Sequence, residues 1–327
     1  MIDIEKYYRE KNLKGFVEEC SKTDLLYPIC IPSYKNRKIA EFLKLVLSKE
    51  REETFYIFLY EDDYFESKYN EYKIPKNVNL VIITKEEFKK RNIRWRGIQP
   101  KRKFIQQYMN ELNIDKYFVV DDDIKEYGVY SGDQRQNKCK SRYVEKIHIF
   151  DLLKCIQYVS NLYNAAMCSA SLIDLEVQFF KFKHIVKPWL CCGCILVDGK
   201  LLKDNNIYYT DDKIHEDHKM FIDCMKNDLV TIALCGFSHK ANDLKSSSTY
   251  DRFELNIKDF IELYPYVKMK YNKKDSFFFT SPKIFDIVKY GINNICESEE
   301  DIIIKKMCLS ENNKDLLLNY FKEIYEQ

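Results

Sequence analysis

The segment Tyr117-Phe-Val-Val-Asp-Asp-Asp-Ile124 runs from four apolar or aromatic residues directly into three aspartates. A short apolar run bounded by polar residues predicts a buried strand, here Tyr117–Val120, and the acids mark the loop at its carboxyl end. Upstream, similar runs predict strands at 27–33, 55–60 and 78–83, and apolar residues at helical spacing predict helices at 37–49 and 99–113. This alternation predicts an α/β protein with a doubly wound, mostly parallel sheet.

The loops that follow these strands are the first place to expect a functional site. In doubly wound sheets, ligands bind outside the carboxyl ends of the strands. The loops expected to share this rim of the sheet follow Ser33, Tyr60, Ile83 and Val120.

The rest of the chain continues the sheet domain and then extends beyond it. A polar, basic loop is predicted from Tyr127 to Arg142. Further helices are predicted at 145–164 and 216–227, and further strands at 165–172, 189–197 and 229–234. We assign residues 1–249 to one domain and residues 250–327 to a helical appendage packed on it, because no Gly-, Pro- or Ser-rich linker separates them. The helices of the appendage are predicted at 257–264, 283–290 and 312–325.

Composition narrows the function classes. The 327 residues include 53 Lys+Arg and 51 Asp+Glu, a formal net charge of +2, and only 8 Gly. No Gly-rich phosphate loop is present, which disfavours P-loop, kinase and Rossmann nucleotide binding. The sequence shows neither a signal-peptide pattern nor an apolar stretch that could span a membrane, so we expect a cytoplasmic protein with no membrane partner. Reduced, buried cysteines are then expected in the apolar segments, at Cys30, Cys155, Cys168, Cys224 and Cys235.

The aspartate triplet is the first candidate site. Asp121 and Asp123 lie two residues apart just past a strand end, where both can present carboxylate oxygens to a hard divalent cation. Such a cation also binds phosphates, so a nucleoside diphosphate is the natural bridging partner. The alternative is a strand that simply ends in solvated acids.

The second candidate is the segment His215-Glu-Asp-His218, which precedes apolar residues at helical spacing. Glu216 and Asp217 fall in the first turn of the predicted helix, where the helix dipole favours acids even without a chemical role. In the functional interpretation, one carboxylate is the general base that removes a proton from an acceptor hydroxyl. His239 follows the strand that ends at Leu234, and a single His there is more often a packing or surface residue than a ligand.

Two further features are less specific. Between Lys89 and Lys103 there are eight basic residues and no acid, interleaved with Trp95. This stretch can neutralise pyrophosphate or nucleic-acid phosphates, or it can form an ordinary solvated face. Cys191-Cys-Gly-Cys194 has the spacing of a zinc site, but a strand would point its successive side chains to opposite faces, which disfavours zinc.

The order of these motifs resembles that of metal-dependent glycosyltransferases of the GT-A fold. Within them, the chain is similar to the family associated with Tet/JBP hydroxylases, which includes base-J-type and phage DNA glycosyltransferases. The matching segments are Ile31-Pro-Ser-Tyr-Lys-Asn-Arg37, Tyr60-Glu-Asp-Asp-Tyr64 with Tyr69, Gly97-Ile-Gln-Pro-Lys-Arg102, Tyr117–Ile124 and Glu216-Asp217. They fall within residues 26–240. Asn36 replaces the usual Gly, and Arg102-Lys103 stands for the usual Arg-Asn.

The resemblance implies a GT-A-like doubly wound mixed sheet that transfers a sugar from a nucleotide-sugar donor, most simply a UDP-sugar, to a hydroxyl with inversion. The residues that it implies for donor binding are Pro32, Ser33, Arg37, Glu61, Arg102, Asp121 and Asp122. Mn²⁺ or Mg²⁺ would be held by Asp121, Asp123 and His239. Asp217 would be the catalytic base, with Glu216 as the alternate, and a hydroxymethylated pyrimidine in DNA would be the acceptor.

Other functions stay open from the sequence. The acceptor could instead be a glycan, a protein or a small molecule. The carboxylates of Asp121, Asp123 and Glu216 would also suit a two-metal nuclease, and a non-catalytic nucleic-acid-binding relative is a third class. The transferase is favoured because Arg37 and His239 have no role in the nuclease or the binding module. The identity of the sugar and the oligomeric state stay open.

Overall fold

A computed structural model describes most of the chain up to residue 241 and two short segments beyond it. The described residues are 2–10, 12–33, 41–48, 51–66, 69, 73–95, 97–130, 144–172, 186–188, 191–211, 216–227, 229–241, 269–272 and 276–279. Arg37 lies outside them.

Within these residues, helices alternate with strands over the first half of the chain. The helices are α1 (Ile4–Arg9), α2 (Leu13–Ser21), α3 (Glu41–Ser48), α4 (Glu61–Glu66), α5 (Lys85–Lys90), α6 (Ile98–Glu111), α7 (Ile149–Leu162), α8 (Gly199–Asp204) and α9 (Glu216–Lys226). The strands are β1 (Ile29–Pro32), β2 (Phe55–Tyr60), β3 (Val78–Ile83), β4 (Lys116–Val120), β5 (Ile124–Tyr130), β6 (Val144–Lys146), β7 (Met167–Leu172), β8 (Val186–Pro188), β9 (Cys194–Asp198), β10 (Thr231–Ala241), β11 (Met269–Asn272) and β12 (Ser276–Phe279).

The main sheet is mixed. Its ten described strands follow the order β3-β2-β1-β4-β9-β7-β10-β5-β6, and β8 also pairs with β10. The pairs from β3 to β4 are parallel, as is β7 with β10. The strand β9 runs antiparallel to both β4 and β7, and β5 runs antiparallel to β10. The predicted α/β class and mixed sheet are therefore confirmed.

Helices cover both faces of the parallel half, which is what makes the sheet doubly wound. Side chains alternate along each strand. Ile29 and Ile31 face the core that includes α2, α3 and α7, whereas Cys30 faces the second core, with α5, α6 and α9. Phe118 and Val119 divide between the two cores in the same way. Burial on both faces explains why these strands are nearly continuous apolar runs.

Most predicted elements of the first half are confirmed, including the strands at 55–60 and 78–83 and the helix that became α6. The prediction of a loop from Tyr127 was wrong at its start, because Ile124–Tyr130 forms β5. This strand pairs with β6 and β10, and these pairings satisfy its backbone hydrogen-bonding groups. Its polar side chains had indicated a loop.

The strand β10 is longer than predicted and contains His239 instead of preceding it. Its pairing with β7 shifts register between Leu234 and Ser238, and Gly236 within this interval has φ +82°. This irregularity in the ladder changes the direction of the side chains that follow, as a β-bulge does. His239 consequently pairs with Tyr127 of β5 and Leu172 of β7.

Beyond residue 241 the structure describes one hairpin, in which β11 and β12 pair antiparallel. The Phe277-Phe-Phe279 cluster lies on β12. The three helices predicted for the appendage lie outside the described residues. No helix in the described segments has the length and apolarity to cross a membrane. Of the cysteines predicted to be reduced and buried, Cys30, Cys155, Cys168 and Cys224 are so; the side chain of Cys235 is not described.

Candidate active site

The candidate site lies at the rim where the parallel strands end. The strands β1 and β4 are parallel neighbours, so Ser33 and the aspartate triplet emerge at the same edge of the sheet. The Ser33 hydroxyl donates to Oδ2 of Asp122 at 2.8 Å, and it lies 2.9 Å from the hydroxyl of Tyr69. Ser33 and Asp122 are both buried, which makes this contact an internal tie that fixes the triplet against β1.

A lysine from α6 completes this buried polar group. The Nζ of Lys101 donates to the carbonyl oxygen of Ser33 and lies 4.2 Å from the centre of the Tyr60 ring. Lys101 is only 1% exposed, and burial lowers its pKa to about 8, although the Asp63 and Asp122 carboxylates act in the opposite direction. Burial of a lysine at this cost is tolerated where such carboxylates accompany it.

Arg102, the next residue of α6, joins two otherwise distant parts of the site. Its Nη2 donates to both carboxylate oxygens of Asp121, at 2.9 and 2.8 Å, and its Nη1 donates to Oε1 of Glu216 at 2.6 Å. Burial opposes its charge, but the carboxylates of Asp121 and Glu216 more than offset this and raise the pKa of Arg102 well above its ordinary value. One buried guanidinium therefore links the strand-end acids to the first turn of α9.

The loop Cys191–Cys194 brings His239 to the same place. The backbone N–H of Asp121 donates to the carbonyl oxygen of Gly193 at 2.9 Å. Gly193 has φ +72°, and a Cβ built there would lie 2.2 Å from Nε2 of His239. Only a glycine allows the imidazole to lie this close to the backbone beside Asp121.

The electrostatics of the site follow from burial and from the crowding of acids. Burial lowers the pKa of His239 to about 4, so its imidazole is neutral near pH 7 despite the nearby Asp121. Burial first and the Asp121 carboxylate second raise the pKa of Asp123. Burial also raises the pKa of Glu216, with Arg102 opposing and Asp217 adding to the shift. Four acidic side chains thus share one small region with one arginine.

Asp217 lies beside Glu216 in the first turn of α9 and is half-buried. Burial, and then the Asp217 carboxylate followed by others including Asp121, raise the pKa of the Cys192 thiol. The Cys191–Cys194 loop is therefore next to both carboxylates.

The structure brings together most of the residues that the sequence singled out. Ser33, Arg102 and the triplet lie around the end of β1 and β4, with His239, Glu216 and Asp217 beside them. Pro32 is the buried last residue of β1, and Glu61 begins α4 at the same rim. Arg37 lies outside the described residues.

Lys101 and Asp63 are the site residues that sequence reasoning did not single out. Both are 1% exposed, and the Oδ2 atom of Asp63 has no hydrogen-bond partner among the described residues. Their burial depends on how α4 and α6 pack on the sheet, so a helical pattern alone gave no signal. The nearest available hint was that Lys101 sits directly before Arg102 in a segment already of interest.

The predicted metal ligands suit a cation by chemistry but are not arranged as a ready site. Two carboxylates and a neutral imidazole are donors that Mn²⁺ accepts, and Nδ1 of His239 has no partner in the described part of the chain. However, both oxygens of Asp121 accept from Arg102. Among the described residues, no three His, Cys, Asp or Glu side chains form a metal-binding group. The cysteines at 191–194 therefore do not form a zinc site with any of the described residues.

The described residues of the basic stretch do not form one continuous surface. Lys101 and Arg102 are buried in the site, Lys103 pairs with Asp211 at 2.7 Å, and Arg91 pairs with two glutamates. Among the residues of the stretch that the structure describes, the exposed cations are Lys89, Lys90 and Arg94. Trp95 packs against Tyr60 and Phe88, with ring centroids 4.9 and 5.3 Å apart.

The chain is similar to known proteins in structure but not in sequence. No protein-family model matches the chain, and no curated protein matches it. Among solved structures, the chain is similar to residues 1–349 of S. aureus TarS, with a TM-score of 0.36 and 13% sequence identity. This similarity covers 92% of this chain and 72% of that one.

Proposed function

We propose that the chain is a GT-A-like glycosyltransferase that moves a sugar from a nucleotide-sugar donor, a UDP-sugar, to a hydroxyl acceptor. The observation that carries this proposal is the position of Arg102 between Asp121 and Glu216, at 2.8 and 2.6 Å. One site therefore contains both Asp121, at the end of β4, and the acid pair Glu216 and Asp217, at the start of α9. We assign the first to the diphosphate and the second to the acceptor. The motif order in the sequence supports the same assignment.

The donor side is assigned to the ends of β1 and β4. Ser33, Asp122 and Glu61 would contact the nucleoside, with Pro32 shaping the pocket and Arg37 joining from outside the described residues. Arg102 supplies the guanidinium that binds phosphate oxygens in two-pronged fashion. Asp121, Asp123 and His239 would hold Mn²⁺ or Mg²⁺. When bound, the metal would supply positive charge to the leaving diphosphate.

The acceptor side is assigned to the start of α9, with Asp217 as the base. Glu216 is less suited to that role, because its carboxylate accepts a hydrogen bond from Arg102 and is 7% exposed. Asp217 is more exposed, as a group must be to meet an acceptor hydroxyl. Asp217 takes the proton of the acceptor hydroxyl while the hydroxyl oxygen bonds to the anomeric carbon. The sugar–phosphate bond breaks on the opposite face, which inverts the configuration.

For the acceptor, we propose the hydroxyl of a hydroxymethylated pyrimidine in DNA. The family resemblance supports this choice, and so do the exposed cations of the basic stretch, Lys89, Lys90 and Arg94. A base in duplex DNA would have to be flipped into the site.

The test is transfer to defined acceptors. The protein is incubated with Mn²⁺, a panel of nucleotide sugars, and matched DNA duplexes with hydroxymethylated or plain pyrimidines, and the DNA is analysed by mass spectrometry. The expected result is a hexose mass added only to hydroxymethylated DNA, and none with Asp217→Asn. Donor hydrolysis without DNA modification would overturn the DNA acceptor and retain the transferase. Nicking of plain DNA without donor consumption would overturn the transferase in favour of a nuclease.

A further inference from the structure

Arg102 is hydrogen-bonded to Asp121, the carboxylate that the proposed metal would also need. Its Nη2 donates a hydrogen bond to each oxygen of Asp121, at 2.9 and 2.8 Å. A cation that approached the same oxygens would meet the positive guanidinium within a few ångströms, where like charges repel strongly in a poorly solvated site. Mn²⁺ alone must therefore displace Arg102 or bind beside it at a disadvantage.

Displacement of Arg102 without a replacement partner is unfavourable. The residue is 6% exposed, so a guanidinium that lost Asp121 would stay largely buried with less compensation. Glu216 would still hold Nη1, at 2.6 Å. The guanidinium would then pair with one carboxylate, whereas it now pairs with two.

A diphosphate removes both obstacles at once. Its oxygens accept hydrogen bonds from Arg102, and they also serve as ligands to the cation. Arg102 has a donor to spare for such an anion, because its buried Nε has no hydrogen-bond partner among the described residues. Arg102 then replaces its hydrogen bonds to Asp121 with hydrogen bonds to the phosphates. Asp121 can therefore bind the metal without leaving the guanidinium unpaired.

We propose that Arg102 makes metal binding conditional on the diphosphate: it neutralises Asp121 while the donor is absent and moves to the phosphates when the donor binds. This inference rests on the proposed donor and metal, and it adds a specific role for one residue. By reciprocity, the metal must strengthen diphosphate binding by the same factor. The site then avoids holding a bare cation without the substrate.

The experiment is equilibrium dialysis of Mn²⁺ against the full chain, with UDP absent or present at equal concentration on both sides of the membrane. For the wild type, UDP should tighten Mn²⁺ binding by about tenfold or more, within the usual range of such couplings. For Arg102→Gln, Mn²⁺ alone should bind about tenfold more tightly than it binds to the wild type, and UDP should tighten Mn²⁺ binding less than it does for the wild type.

Two other variants are measured in the same way, one as a control and one as an alternative to Arg102→Gln. Arg91→Gln is the matched control, because Arg91 also bridges two acids, Glu87 and Glu111, on α5 and α6; it should behave as wild type. Arg102→Lys retains the charge but not the fork, so it serves if Arg102→Gln does not fold. A lysine cannot hold Asp121 and Glu216 together as the guanidinium does, and Mn²⁺ alone should again bind more tightly than to the wild type.

The outcomes separate this inference from the proposed function. Equal Mn²⁺ affinity of the wild type with and without UDP would leave the donor site standing and overturn the conditional binding. Folded Arg102 variants that bind Mn²⁺ alone no more tightly than the wild type would overturn it too. Failure of the wild type to bind Mn²⁺ even with UDP would overturn the proposed metal site, and the inference with it.

Discussion

The Nη2 atom of Arg102 donates to both carboxylate oxygens of Asp121, at 2.9 and 2.8 Å. Through Nη1 the same guanidinium reaches Glu216, 114 residues away in sequence. Because Arg102 is buried, both contacts are made where water competes little. The acids at the end of β4 and at the start of α9 are thereby held as one unit.

Asp217 and Glu216 are expected to differ in kinetic effect. Asp217→Asn removes the proposed base and should lower kcat by about 10²–10⁴-fold with little change in the KM of the donor. Glu216→Gln removes a partner of Arg102, so it should raise the KM of the donor more than it lowers kcat. Steady-state kinetics with both variants checks this. The assignment is reversed if Glu216→Gln abolishes kcat while Asp217→Asn retains it.

Asp123 is expected to matter through the metal. Asp123→Asn should raise the Mn²⁺ concentration for half-maximal activity by about tenfold or more, because an amide is a weaker ligand than a carboxylate. Asp204→Asn is the control, since Asp204 lies on α8 and pairs with Lys200 at the surface. An unchanged Mn²⁺ requirement in Asp123→Asn would remove this residue from the metal site.

Lys101 is expected to give stability an unusual dependence on pH. Its pKa falls from 10.5 to about 8 on folding. Below pH 8 it is charged in both states, so the cost of burying the charge is constant. Between pH 8 and 10.5 the folded chain releases a proton that the unfolded chain keeps, so the free energy of unfolding rises with pH.

The measurement is urea unfolding of the wild type and Lys101→Met across this range. The difference in unfolding free energy should move in favour of the wild type by about 3 kcal/mol as the pH rises. Other alkaline groups are present in both proteins and cancel in the difference. A difference that does not change with pH would show that Lys101 keeps an ordinary pKa.

Gly193 is expected to be intolerant of any side chain. Gly193→Ala places a methyl group 2.2 Å from Nε2 of His239, at a backbone φ of +72°. We expect a loss of about 2 kcal/mol or more in unfolding free energy, from the clash and the backbone strain together. In the double variant Gly193→Ala/His239→Ala the clash is absent, so the combined loss should be smaller than the sum of the single losses. Simple additivity would mean that the two groups are not in contact.

The fold was predictable from sequence wherever burial imposed a pattern. Phe55–Tyr60 is a short apolar run because it is buried in the parallel half of the sheet, and its bounds were predicted as found. The bounds of the edge strand Val78–Ile83 were also predicted as found. The strand β5 was not predicted, because its polar residues pointed to a loop and only its partner strands reveal the ladder. The strand β10 continues past a register shift near Gly236, which the sequence pattern does not signal.

The candidate site was predictable as a set of residues but not as a geometry. Strand-end and helix-start positions indicated Asp121 and Glu216, and parallel strands explain why Ser33 lies beside the triplet. The bridge through Arg102 depends on tertiary packing between α6 and α9. The close approach of Gly193 to His239 likewise depends on a left-handed backbone and on the register shift in β10, neither of which leaves a periodic signal.

The most direct test of the central claim is a crystal soaked with MnCl₂ and UDP, examined for anomalous scattering from manganese. We expect one manganese peak that touches the diphosphate, Asp121, Asp123 and His239, with the guanidinium of Arg102 on the phosphates. Nucleotide bound away from the ends of β1 and β4, or a diphosphate bound there while both oxygens of Asp121 stay on Arg102 and no manganese is present, would contradict it.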